Sequence, residues 1–147
     1  MTTRLTLPDV QEVAFALTRE RLSLDEPIPD FETRFPGRLE ACLEVPFQSF
    51  GGHSPYGSLV AKAGILFYLL IKDHPFQNGN KRIALTSLFV FLFLNGKWLK
   101  SGQQELCRLS VGVAESDPKM KDLIVAGVTS LIDRDLVPAD ARLASDS

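Results

Sequence analysis

The chain has 147 residues, 45% of them hydrophobic, and 16 Lys and Arg stand against 18 Asp and Glu for a net charge of −2. That length can bury one core without disulfide or metal staples, and the balance lacks the basic surplus of a nucleic-acid binder. No apolar stretch approaches the roughly 18 residues of a membrane span, and the N-terminal MTTRLTLPDV lacks the apolar centre of a signal peptide. Cys42 and Cys107 make no disulfide framework, and neither lies in a CxxC. A single-domain cytoplasmic protein is expected, acting on neither nucleic acid nor membrane.

In chain order, Thr6 can cap a helix whose first turn holds Pro8 and Asp9, both favourable there. Val10, Val13, Ala14, Leu17 and Leu24 carry its helical spacing. Residues 25–35, with Pro27 and Pro29, read as a loop. Pro36-Gly37 opens a short helix bearing Leu39, Cys42 and Leu43, which Pro46 ends. Pro46 to Gly57, rich in Gly, Pro and Ser, has loop or hairpin composition. Two helices follow, Ser58 to Asp73 and Gly79 to Leu94, the second closed by Asn95-Gly96. Both are apolar on nearly every side, which makes them the expected buried centre. Further helices are expected over 101–115 and from Asp117 to about Asp133, and apart from a short flap hairpin or loop no segment reads convincingly as a strand. The fold class is all-α: a single-domain bundle of about six helices over 1–137, with a flexible tail over 138–147.

Chemistry concentrates between the two central helices, in His74-Pro75-Phe76-Gln77-Asn78-Gly79-Asn80-Lys81-Arg82. Pro75 keeps His74 out of the helix, and Phe76 can anchor the loop in the core. Gly79 and Asn80 tolerate left-handed backbone, so their N–H groups can converge on one point. Lys81 and Arg82 sit in a helical first turn, where the macrodipole disfavours cations. An anion at that end resolves the conflict: N–H groups, an ammonium and a guanidinium make a phosphate cradle. Asn78 offers an amide oxygen to a metal, and His74 stands where it can take a proton from an attacking hydroxyl. Phosphoryl or nucleotidyl transfer needs these parts and little else. Each residue also has a plainer reading: His74 as a helix cap, Lys81-Arg82 as solvated surface, Asn78-Gly79-Asn80 as a simple turn.

The segment resembles the signature loop of the Fic/Doc (Fido) superfamily, H-P-F-x-[D/E]-G-N-[G/K]-R, and within it the Doc (death-on-curing) toxin branch. Phe35 to Leu43 resembles that branch's second helix, Pro46 to Tyr56 its flap, and Leu92 to Gly96 the end of its motif helix. The resemblance implies an all-α fold in which His74 is the general base and Gly79, Asn80, Lys81 and Arg82 hold ATP phosphates. It implies Mg²⁺ at Asn78, Phe76 as loop anchor, and a flap (Phe50, Gly51, Gly52, Tyr56) that clamps the target by strand addition. Lys81 stands where Fic members carry Gly. Leu85 stands where they tend to carry a second Arg. Both differences imply the Doc reaction, phosphorylation of a translation elongation factor, over AMP transfer. Asn78 departs from the motif, since Asp or Glu is usual there. A neutral amide holds Mg²⁺ without charge attraction, so a binding member without turnover is a further alternative.

Outside the motif, His53 reads as an exposed loop histidine, and Asp73 could bias the His74 tautomer or cap the helix. Ser101 to Glu105 matches part of the superfamily's inhibitory pattern [S/T]-x-x-x-E-[G/N], but Leu106 follows. No internal inhibitor is expected, and restraint would fall to a separate antitoxin.

Overall fold

A computed structural model describes residues 2–16 and 29–140. Thr6 caps the first helix, α1 (Leu7–Asp9), through a reciprocal box: Asp9 N–H donates to Thr6 Oγ1 and Thr6 N–H to Asp9 Oδ2. The helix runs on as a π-helical turn over Val10–Ala14. Its expected continuation to Leu24 lies mostly outside the described residues. A 3₁₀ turn (Phe31–Thr33) precedes α2 (Arg38–Glu44), which Pro46 ends within a second 3₁₀ turn (Val45–Phe47).

The centre is α3 (Leu59–Lys72) and α4 (Asn80–Leu94), as their all-round apolar pattern requires. Ten consecutive residues of α3, Lys62 to Ile71, are buried. Such burial demands partners on every side, and α3 packs against α4, α5 (Gln103–Glu115) and α6 (Lys121–Asp135). The tightest approach is at Gly64, where a Cβ would fall 2.1 Å from Thr129 Oγ1 on α6. All of this makes the molecule an all-α bundle, and no described helix is long and apolar enough to cross a membrane.

Two short strands depart from the expected pattern. Strands β1 (Lys97–Leu99) and β2 (Leu136–Pro138) pair antiparallel, Trp98 opposite Val137. Each has three residues and the partners lie far apart in sequence, so no local periodicity announces them. Pro138 is thus engaged, and Ala139 N–H donates to Gly96 O. The rest of the expected tail, 141–147, is outside the described residues. Side chains lock this seam. Asp135, buried, accepts from Ser101 Oγ and from Arg134, which also binds Glu105. Glu105 and Ser101, the two residues of the partial inhibitory pattern, are therefore tied to the end of α6.

Asparagines at both ends of α4 use the carboxamide as a substitute peptide group. Asn95 accepts from Thr3 N–H and donates to Thr3 O, holding the N-terminal segment. Asn80 does the same for Phe76, within the motif loop.

Candidate active site

The site is built on the connection from α3 to α4. Helix α3 ends at Asp73, and His74 follows with φ 46, the only described non-glycine residue at positive φ. This is the left-handed position after a helix end that glycine normally fills, with proline next, as commonly seen. Histidine there is strained, and such strain concentrates at functional sites. The residue is exposed.

Three contacts hold the loop below it. Phe76 is 1% exposed and meets Phe15 and Phe31 with ring centroids 5.1 and 6.1 Å away. Phe35 N–H donates to Pro75 O at 2.9 Å, and Arg38 Nη1 to His74 O at 3.4 Å. The Arg38 guanidinium lies 4.5 Å above the Phe35 ring. Sequence reasoning missed the part Phe35 and Arg38 play at His74, because it consists of side-chain and backbone contacts across 36 residues. Pro36, Gly37, Arg38, Ala41, Lys72, Asp73 and His74 line a cleft of about 480 Å³.

Gly79, at φ 73, caps α4 without any side-chain acceptor. A left-handed residue followed by right-handed helix forms an anion nest, and first-turn N–H groups have no intrahelical acceptor. The first turn of α4 contains no acid to complement the dipole, only exposed Lys81 and half-buried Arg82. A left-handed cap and two cations thus occupy the helix end that the dipole makes positive.

The Asn80 side chain is engaged within the loop. Its Oδ1 accepts from Phe76 N–H at 3.0 Å, its Nδ2 donates to Phe76 O at 2.9 Å, and Nδ2 lies 3.5 Å from His74 Nδ1. The carboxamide is thus held by the Phe76 backbone, with its nitrogen also facing the His74 ring. Asp73 does not face the imidazole. Its Oδ2 lies 3.9 Å from Cys42 Sγ, and burial together with the Asp73 charge pushes that thiol up to about 12.

Asn78 Oδ1 is buried and has no hydrogen-bond partner, an acceptor suited to a cation or a donor. Among the described residues no three His, Cys, Asp or Glu side chains form a metal-ligating group. The donor set therefore fits an ion carried largely by phosphate oxygens, with one amide oxygen from the protein.

In the flap, Phe50 and His53 exchange both backbone hydrogen bonds, at 2.8 and 3.0 Å, around Gly51 (φ 57) and Gly52 (φ 81). Positive φ at both central residues is what a two-residue hairpin turn of this hand requires. Phe50 is 65% exposed at its base, and His53 is exposed as well. Half-buried Tyr56 packs against the core, and buried Lys62 donates to its carbonyl.

The strained His74 and the acid-free, cationic first turn of α4 both fall within the motif loop. The chain belongs to the Fic/DOC family, whose model matches residues 4–92. Members of that family generally transfer nucleotide-derived groups to proteins. No curated protein and no solved structure matches the chain.

Proposed function

We propose that the protein is a Doc-type toxin that moves the γ-phosphoryl group of ATP to a Ser or Thr hydroxyl of a translation elongation factor. The observation that carries the reading is the acid-free first turn of α4, which holds Lys81 and Arg82 and begins six residues after the exposed, left-handed His74. Gly79 and the Asn80 backbone cradle phosphate oxygens, while the two cations balance charge as it shifts toward the leaving group. His74 takes the hydroxyl proton, the hydroxyl oxygen bonds to the γ-phosphorus, and the bond to the β–γ bridging oxygen breaks to release ADP. Bound with the phosphates, Mg²⁺ supplies charge neutralisation, and Asn78 is the residue that would hold it.

Leu85 supports phosphoryl over AMP transfer: it is 9% exposed and faces the core, so that position sends no cation to the α-phosphate. The Phe50–His53 hairpin is the surface for the target backbone. Glu105 is paired with Arg134, which supports restraint by a separate antitoxin in place of an internal helix.

The test offers the chain Mg²⁺, elongation factor Tu and ATP labelled at either the α- or the γ-phosphate. Label from the γ position alone is expected. Label from the α position would make the protein an AMP transferase. Nucleotide binding without either label on any translation factor would favour the non-catalytic reading, for which the amide of Asn78 argues.

A further inference from the structure

The Asn80 carboxamide cannot be turned over. Phe76 N–H requires an acceptor at 3.0 Å and Phe76 O a donor at 2.9 Å, so oxygen and nitrogen are each assigned by a backbone group of known character. The atom facing His74 Nδ1 at 3.5 Å is therefore an N–H donor. A neutral imidazole has one accepting and one donating nitrogen, and the partner of one decides the character of the other. Asp73, the nearest carboxylate in sequence, faces Cys42 and does not reverse this choice. Asn80 is 8% exposed at the start of α4, with its amide held at two points.

We infer that Asn80 is a positioning residue that holds His74 with its proton on Nε2, making Nδ1 the nitrogen that takes the target's proton. The inference rests on His74 being the base. Nδ1 faces the side chain of the first residue of α4, the helix whose N-terminal turn carries Lys81 and Arg82. At 3.5 Å the N–H of Asn80 is at the outer limit of a hydrogen bond, so it biases the tautomer and leaves the Nδ1 lone pair open to a closer partner. An arriving hydroxyl displaces that N–H at little cost. The hydroxyl proton passes to Nδ1, its oxygen to phosphorus, and the ring becomes an imidazolium with both nitrogens protonated.

The chain has two histidines, so a His53→Gln background leaves His74 as the single imidazole. Long-range ¹H–¹⁵N correlation spectra of that chain, taken at alkaline pH where the ring is neutral, read the tautomer directly. The expected spectrum has the proton on Nε2 and a bare Nδ1. Asn80→Asp keeps an acceptor for Phe76 N–H but presents oxygen to the ring, and is expected to move the proton to Nδ1. A proton on Nδ1 in the parent spectrum overturns the inference, as does an unchanged tautomer in folded Asn80→Asp. Should that variant fail to fold, the parent spectrum still decides. The measurement uses neither nucleotide nor target, so a wrong assignment of the transferred group leaves it standing.

Discussion

Replacing His74 by Gly is expected to stabilise the fold while abolishing transfer, and comparison with His74→Ala measures the strain that the site carries. At φ 46 an L side chain has its Cβ crowded against the following carbonyl, worth about 1–2 kcal/mol. Histidine is among the residues that tolerate this region somewhat better; alanine has no such relief. Glycine removes the crowding but gives the unfolded chain back about 0.4–1 kcal/mol of entropy. The residue is exposed, and the polar approach of its ring to Asn80 is a long 3.5 Å, so its deletion loses little packing. The difference leaves His74→Gly more stable than His74→Ala by about 1 kcal/mol, the reverse of a helix interior, where Ala wins by about that amount. Urea unfolding of both variants and the parent chain reads the difference, and for a chain of this size each kcal/mol moves Tm by about 2–4 °C. Alanine equal to or more stable than glycine would refute the left-handed backbone. With it would go the argument that the loop stores strain to present its base.

Other outcomes follow from single contacts. Gly64→Ala puts a Cβ 2.1 Å from Thr129 Oγ1 and 3.3 Å from Thr129 Cα, so a helix gain of about 1 kcal/mol loses to about 1–3 kcal/mol of overpacking. Thr129→Ala in the same chain should restore most of the loss, and a double-mutant cycle showing no coupling would sink the contact. Asn78→Asp places a carboxylate where an amide oxygen already lacks a donor, costing about 1–3 kcal/mol without ligand. Mg²⁺ with ATP should then raise the variant's Tm by more than the parent's, and equal shifts would remove Asn78 from the metal site. Hydrogen bonds from Arg134, then from Ser101, hold the Asp135 carboxyl well below the usual range. Its contribution to stability is present above the unfolded-state value near 4 and is lost as pH falls through and below it. Asp135→Asn should therefore flatten the acid limb of the stability curve. A limb unchanged in the variant would contradict that.

The helices, their caps and the motif were legible in the sequence because each rests on residues close together along the chain. Thr6 with Asp9, Ser58 before α3, and Gly79 before α4 act within one turn. The all-round apolar pattern of α3 and α4 named the centre of the bundle for the same reason. The concentration of His74, Asn78, Gly79, Lys81 and Arg82 in nine residues located the site before any packing was known. Tertiary structure alone decided the rest. Strands of three residues exist only because β1 and β2 meet across 36 intervening residues, and only packing sets Gly64 against Thr129. The same holds within the motif, where residue type allowed Asn80 to face a phosphate or the loop. Which it does depends on where Phe76, fixed by Phe15 and Phe31, leaves its backbone groups. A residue's chemistry is local and readable, whereas the partner that uses it is chosen by the fold.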